Sequence, residues 1–432
     1  MLTEVRGHET GILWQSTAEA AEPASHRFSN GEKVDVAIVG GGFCGLSAAL
    51  HLAEAGSDCC VVEAQQPGWG ASGRNGGQVI AGLKLDPQEL RAKFGDEHGE
   101  ALYRFGAETA DLVFELIERF AIPCEPRRAG WIQAARSIPV GATISARVAE
   151  FSKRGAHVEL LHPDRLRELT GTGLFRFGML DHRCGSVQPL GYARGLAAAA
   201  AHAGARIFSR TRVMALERDR GLWVLRTQQG ALRARTVVLA TNAYLEGLWP
   251  GLVRAMIPIQ SCQVATEPLP DHVGSGILPS GQPVSDLMDL GVYFRRDRDG
   301  RFIIGGSGPL GSREAASYFD QLTRAARLMF PALEEVAFPH RWSGKLALTR
   351  DHLPRVIRLD DGMIAAYGCN GRGVALATAM GRLAAQLCRG SDNPHLPICT
   401  LPPAVYPFYA LRIPAMAAVR SARFLRRRFA RG

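Results

Sequence analysis

Gly40, Gly42 and Gly45 stand in the spacing G-x-G-x-x-G, and Glu63 follows 18 residues beyond the last of them. Residues of these types at this spacing suit one task, the grip on a dinucleotide. Gly40 permits a tight turn, Gly42 removes the side chain that would hold the backbone off a pyrophosphate, and Gly45 lets a helix pack closely on a strand. Phosphate oxygens then meet backbone N–H groups at the positive end of that helix. Glu63 offers a carboxylate to the two ribose hydroxyls of the adenosine half. The chemistry implied is that of a bound redox dinucleotide, for which the protein supplies placement and electrostatics.

The elements that must position these residues are also legible. Val34, Val36, Ile38 and Val39 form a β-branched run suited to a parallel strand buried on both faces. Residues 46–53 read as a helix ended by Gly56, and residues 59–63 read as a second strand. A second glycine-rich stretch, GWGASGRNGG at 68–77, comes at once after that strand, and its glycines around Arg74 and Asn75 suggest backbone laid against a flat ligand. Leu90, Phe94, Leu102, Phe105, Leu112, Leu116 and Ile117 form a helical apolar stripe that reads as core. Residues 190–203 read as a helix of small residues. Short strands at 212–216, 222–226 and 231–234 feed a buried strand at 236–243, whose small-residue end near Thr241 leaves room for a cofactor.

From about residue 258 to 343 the pattern changes to short strands, among them 292–295 and 301–305, with a helix at 318–329. This span reads as a second, sheet-containing domain with its aromatic residues in the core. The last unit has a strand at 363–368, a tight turn through Asn370, Gly371, Arg372 and Gly373, and an alanine-rich helix from Val374 to Leu387. Its N-terminus can stabilise negative charge on the far side of the same cofactor. Nicotinamide enzymes usually keep the nucleotide unit contiguous. Three separated turns favour a longer flavin dinucleotide.

Composition narrows the classes further. At 432 residues, 46% hydrophobic and 21% charged, the chain can bury a large core and is neither fibrous nor disordered. Two domains are expected. The net charge of +10 is concentrated: no acidic residue follows Asp392, whereas Arg412, Arg420, Arg423, Arg426, Arg427, Arg428 and Arg431 do. A basic tail without aromatic platforms or a reading helix in the folded body argues against a nucleic-acid partner. The tail reads as an imperfectly amphipathic helix, 413–429, packed on the body; a weak membrane-surface contact is the other reading. Nine cysteines without a C-x-x-C pair argue for reduced thiols in a cytoplasmic protein and against a zinc or other metal site. The first 30 residues show no secretory leader, and no run reaches the roughly 18–20 apolar residues of a membrane span.

The strings GWGASGRNGGQV at 68–79, LATNAY at 239–244, HRWSGKLALTRDHLP at 340–354 and YGCNGRGVALATAMG at 367–381 complete a resemblance. Over most of its length the chain resembles the D-amino-acid-oxidase-like (DAO) family of FAD-dependent amine and amino-acid oxidases, and within it the bacterial gamma-glutamylputrescine oxidase branch. The resemblance implies an α/β fold: an FAD-binding Rossmann-like domain assembled from discontinuous segments, with a second, antiparallel-sheet substrate domain. The division read here is 1–85, 166–257 and 341–411 for FAD, 86–165 (mostly helical) and 258–340 for substrate, and 412–432 as the basic tail.

Carried over residue by residue, the resemblance assigns Gly40, Gly42, Phe43, Cys44, Gly45, Glu63 and Ala64 to the FAD fingerprint. It places Gly70, Ala71, Ser72, Arg74, Asn75, Gly76 and Gly77 beside the isoalloxazine ring, Val213 and Thr241 along the cofactor, and Asn370, Gly371, Arg372, Gly373 and Val374 at the C-terminal turn. Relatives often carry Gly-His-Gly where this chain has Gly371-Arg372-Gly373. Arg372 therefore either adds a permanent charge at the ring or lies on the surface. The nearest cysteine to Trp342, where some relatives attach FAD covalently, is Cys369, 27 residues on; FAD is expected to be noncovalent.

The candidate catalytic residues are Arg74, Trp342, Tyr367, Arg372 and Lys345, with Arg295, Arg296 and Arg341 as possible seats for a substrate carboxylate. His51 and His352 read as structural. The reaction implied is oxidation of a C–N bond of a small-molecule amine or amino acid to an imine. Hydrolysis then gives an aldehyde or keto acid, and molecular oxygen accepts the electrons as hydrogen peroxide. An L-pipecolate, proline or N-methyl amino-acid oxidase or dehydrogenase passing electrons to a carrier is the nearest alternative. A non-catalytic FAD-binding or electron-transfer subunit is the alternative of another class.

Overall fold

The computed structural model describes residues 11–286, 291–308, 316–391, 393, 395–412 and 414. The tail read as a helix at 413–429 falls, apart from Pro414, outside the described residues.

The chain opens with α1 (Leu13–Thr17) and β1 (Glu32–Val39), then α2 (Phe43–Glu54), β2 (Cys59–Val62) and the two-residue β3 (Gln78–Val79). Next come α3 (Pro87–Ala107), α4 (Thr109–Arg119), β4 (Trp131–Ala135), α5 (Ile138–Ser152), β5 (Val158–Leu161), α6 (Pro163–Thr170), β6 (Phe177–Asp181) and β7 (Gly185–Ser186). They lead to α7 (Pro189–His202) and to β8 (Arg206–Phe208), β9 (Val213–Asp219), β10 (Leu222–Thr227) and β11 (Gly230–Leu239). Beyond the short α8 (Pro250–Val253) lie β12 (Ile257–Ala265), α9 (Asp271–Gly274), β13 (Val284–Asp286), β14 (Val292–Arg296), β15 (Phe302–Ser307) and α10 (Ala316–Met329). The last units are β16 (His340–Leu348), β17 (Arg355–Asp360), β18 (Met363–Tyr367) and α11 (Gly373–Cys388).

Among the described residues these strands make two eight-stranded sheets and a two-stranded one, β3-β7. The first runs β17-β18-β11-β1-β2-β8, with β10 pairing β11 and β9 pairing β10. Its centre, from β18 to β8, is parallel. Val36 and Ile38 enter one core with α2, α7 and α11, while Ala37 and Val39 enter another on the opposite face, so β1 is buried on both sides as its run of β-branched residues predicts. Gly40 has φ +108°, and a Cβ on Gly45 would sit 2.0 Å from the Gly40 carbonyl oxygen. The turn and the close approach of α2 therefore both depend on glycine.

The second sheet, β16-β12-β15-β14-β13-β4-β6-β5, is antiparallel except where β13 meets β4. Phe294 and Phe302 of this sheet pack in one core with Phe319 of α10 and with Phe330 just beyond it. Tyr293 alternates to the other face, which looks toward the first sheet's cavity.

Several elements differ from the sequence reading. The helix read from residue 46 begins at Phe43, because the G-x-G turn itself is its N-terminus. The strands read at 231–234 and 236–243 are one, β11, ending at Leu239 before Thr241. The segment from Arg341 to Leu348, grouped with the last cofactor segment, is strand β16 and pairs along its length with β12 in the second sheet. Likewise β6 joins the second sheet, although the sequence reading groups 166–257 with the FAD segments. Boundary residues such as these carry no local mark of which sheet they join; only pairing decides it.

Candidate functional site

The carboxyl ends of β1, β2, β11 and β18 open onto one cavity of about 550 Å³, the place where open α/β sheets bind ligands. Gly40, Gly42, Phe43 and Cys44 form one wall with Glu63 and Ala64. Gly70, Ala71, Ser72, Arg74, Asn75 and Gly76 line the next stretch, and Val213, Thr241, Gly371, Gly373 and Val374 close the remainder. Lys345 and Tyr367 also border it. Four segments far apart in sequence thus meet around one elongated space.

Its two ends differ chemically. At one, the Glu63 carboxylate accepts from Gly41 N–H at 2.6 Å and from Gln65 N–H at 2.8 Å. Burial raises its pKa, while these two bonds and the Arg212 cation oppose the rise. Each carboxylate oxygen retains a lone pair for a further donor such as a ribose hydroxyl. Between the ends, Ser72 Oγ accepts from the Phe43 N–H at 3.0 Å, joining the first two glycine turns and leaving the hydroxyl proton free to donate.

At the other end the second sheet forms a roof. Tyr293 crosses Gly305, its partner on β15, and its hydroxyl meets Ser261 Oγ at 2.8 Å. A Cβ on Gly305 would lie 2.4 Å from that hydroxyl, and one on Gly76 would lie 2.7 Å from Cε2 of the ring. The phenol is therefore held in a slot between two glycines. Gln263 donates its amide N–H to the Arg74 carbonyl, which leaves its Oε1 as a pure acceptor. Burial pushes the phenols of Tyr293 and Tyr367 up to about 12, so both are neutral at physiological pH.

Gln263 Oε1, Tyr367 Oη and Thr241 Oγ1 are buried without a hydrogen-bond partner among the described residues, and all three residues border the cavity. Such atoms cost about 1–3 kcal/mol each when left unmade. Glycines clear a ligand's path at the first turn, where a Cβ on Gly41 or Gly42 would meet Glu63 or Ser72 at 3.1 and 2.9 Å. The residues present fit FAD, whose ribose hydroxyls the Glu63 carboxylate would accept from.

Five residues assigned from the sequence do not border the cavity. Gly45 serves helix packing, as read, and Gly77 packs against the Val187 carbonyl and Arg295. Asn370 braces its turn, with Oδ1 accepting from Thr349 N–H at 2.9 Å. Trp342 is fully buried, donates from Nε1 to the Arg74 carbonyl at 2.9 Å and stacks edge-on against Trp14, so it lines no substrate slot. Arg372 is half-buried: Nη1 donates to the Ala81 carbonyl at 2.8 Å, and burial with the neighbouring Arg147 cation pulls its pKa down to about 10.

Arg74 borders the cavity but is bound to the Trp69 and Ser343 carbonyls at 2.9 and 3.1 Å, with its guanidinium 4.8 Å from the Trp69 ring centre. The three arginines read as carboxylate seats are directed elsewhere. Arg295 donates to the Val187 carbonyl and lies over Trp14, Arg296 donates to the Gly274 carbonyl, and Arg341 pairs with Asp320. His51 bonds the Ser47 carbonyl within its helix, a structural role.

Sequence reasoning missed Gln263, Tyr293, Ser261 and Tyr244. Alternation along 292–295 was the available signal: with Phe294 inward, Tyr293 had to face the other way. Gln263 had none, being a polar residue in an unremarked strand.

A discontinuous parallel sheet with a glycine-turn dinucleotide cradle, roofed by an antiparallel sheet, defines the FAD-dependent oxidoreductases. Residues 35–387 match the family model DAO, "FAD dependent oxidoreductase", and the chain belongs to that family. It is an enzyme whose cofactor is FAD. It is 32% identical over 388 residues to the gamma-glutamylputrescine oxidoreductase of Escherichia coli K12, spanning 89% of this chain and 90% of the relative. It is 31% identical over 375 residues to the probable oxidoreductase OrdL of Haemophilus influenzae, spanning 84% of each. Among solved structures it shares its fold with L-proline dehydrogenase from P. horikoshii (TM-score 0.71, 21% identity, 85% of this chain and 96% of that one). Glycine oxidase from Geobacillus kaustophilus also shares the fold (TM-score 0.70, 24% identity, 84% and 96%). No helix of the described residues is long and apolar enough to cross a membrane.

Proposed function

We propose that this enzyme oxidises a C–N bond of a small-molecule amine or amino acid, with a gamma-glutamylputrescine-like amine favoured and molecular oxygen as electron acceptor. FAD would be held noncovalently by the residues of the first, second and C-terminal glycine turns, and the protein would work in the cytoplasm. When bound, FAD supplies the two-electron acceptor for a hydride equivalent from the carbon beside nitrogen.

The observation that carries the reading is the make-up of the roofed end of the cavity. Tyr293, Gln263 and Ser261 meet there, Tyr244, Tyr367, Lys345 and Arg74 border the same cavity, and the acidic residues among the described lining, Glu63 and Glu246, lie at the Arg212 end instead. An ammonium ion entering this end finds neutral acceptors in place of a carboxylate, so the site favours the uncharged amine, the form that can release hydride. Gln263 Oε1 can accept from the amine N–H, and the buried phenols can orient it without taking its proton. Cys44 and Cys369 border the cavity, but burial raises both thiols, to about 12 for Cys44, which disfavours a thiolate attachment. The gamma-glutamylputrescine preference is supported by identity to the Escherichia coli enzyme of that name.

The test is anaerobic mixing of the yellow protein with polyamines, glutamylated polyamines, N-methyl amino acids and cyclic imino acids. Flavin bleaching by an amine, with peroxide released on admitting air, is the expected result. A flavin that none of these reduces would overturn the reading; bleaching without peroxide would make it a dehydrogenase.

A further inference from the structure

The segment before residue 35 lies outside the span that matches the family model, yet α1 reaches the ring-side loop. Trp14 is fully buried and donates its indole N–H to the Asn75 carbonyl at 2.8 Å. Its ring stacks edge-on against Trp342 at 5.8 Å, and Arg295 lies 4.9 Å from its centre. Gln188 fixes the backbone beneath it, donating to the Trp14 carbonyl at 2.8 Å and to Thr17 Oγ1 at 3.1 Å. The adjoining carbonyl, that of Arg74, is held by Trp342 and Gln263. Two successive carbonyls of the glycine-rich loop are thus tied to groups outside it.

A planar trans peptide directs its N–H opposite to its carbonyl. The N–H opposite the Arg74 carbonyl, that of Asn75, goes back to Ala71 at 3.1 Å. The N–H opposite the Asn75 carbonyl is that of Gly76, which has no acceptor among the described residues and sits on the cavity wall, whereas Trp14 does not border the cavity. We propose that Trp14 is a positioning residue: by holding the Asn75 carbonyl away from the cavity, it aims the Gly76 N–H into it as a donor to the flavin ring. This rests on the reading of the cavity as the FAD site. The N-terminal segment is then part of the active-site assembly, a strap that sets a backbone donor which the glycine loop alone would leave free to turn.

Two variants and one measurement on the unmodified chain test it. Trp14→Phe keeps an aromatic ring and loses the donor; Trp14→His keeps a ring N–H. The loss of one such bond predicts a roughly tenfold weaker FAD dissociation constant and an altered visible flavin spectrum for Trp14→Phe, partly restored in Trp14→His. Wild-type affinity and spectrum in both variants, or equal impairment in both, would overturn the role of the indole N–H. On the wild type, amide deuterium exchange should show Gly76 newly protected when FAD binds; an unchanged Gly76 overturns the aimed donor even where neither variant folds. Should FAD protect none of residues 40–45 and 70–77, the site reading itself fails. Protection of those residues with unaffected Trp14 variants defeats only the strap.

Discussion

At the scale of single residues, the site depends on places where a side chain would not fit or a charge is poorly housed. A Cβ on Gly76 would meet the Tyr293 ring at 2.7 Å, and that ring cannot slide, since Gly305 backs it and Ser261 holds its hydroxyl. Gly76→Ala should therefore weaken FAD binding by about tenfold or more, a loss on the scale of one misplaced hydrogen bond, measured by flavin fluorescence titration. Lys84 is the contrasting case. Burial, reinforced by the Arg372 and Arg147 cations, pulls its pKa down from 10.5 to about 8. Below about pH 8 the folded protein carries a poorly solvated ammonium. Between there and about 10.5 the unfolded chain holds a proton that the folded one has released, so stability gains with rising pH. Lys84→Met should stabilise the fold by about 1–3 kcal/mol near pH 7, and the advantage should fade near pH 10; urea titrations at both pH values check the sign.

At the scale of elements, α2 and α11 bring the first and last glycine turns to one cavity, and they do so by touching backbone to backbone. A Cβ on Gly381 would stand 2.3 Å from the Cys44 carbonyl oxygen and 2.7 Å from Ser47 Cβ. Ser47 Oγ crosses the same contact to the Thr378 carbonyl at 2.7 Å. Gly381→Ala should part the helices, cost about 1–3 kcal/mol, and loosen FAD although Gly381 itself does not line the cavity; melting and flavin titration together show it. The element pairings were readable in part. Strand, turn and helix at residues 34–53 and 363–387 announce themselves through steric rules that act over a few residues. β12 and β16, which supply the roof, have no such punctuation, and the sheet they join is set by partners about 80 residues apart.

At the scale of the molecule, the cavity lies where the two sheets face each other, and its lining runs from Val39 to Met380. A ligand that touches both layers stabilises them together. Removal of FAD should lower the melting temperature, and its return at a hundredfold excess over the dissociation constant should restore roughly 2.7 kcal/mol. A melting temperature indifferent to FAD would contradict a cofactor seated between the layers. All nine cysteines are free, so that restoration should not depend on reducing agent.

What the sequence determined alone was the glycine frame of the cavity: Gly40, Gly42, Glu63, most of the 70–76 loop, Gly371, Gly373 and Val374 reach it, because these turns are specified by local backbone geometry and by the absence of a side chain. Tertiary structure decided everything that depends on which way a side chain faces. Arg372 turned to the Ala81 carbonyl, Trp342 to the back of the loop, and Arg295 to Trp14, while Tyr293 and Gln263 turned toward the cavity. In a sheet a shift of one residue reverses every facing, and the register that settles it comes from strands distant in the chain.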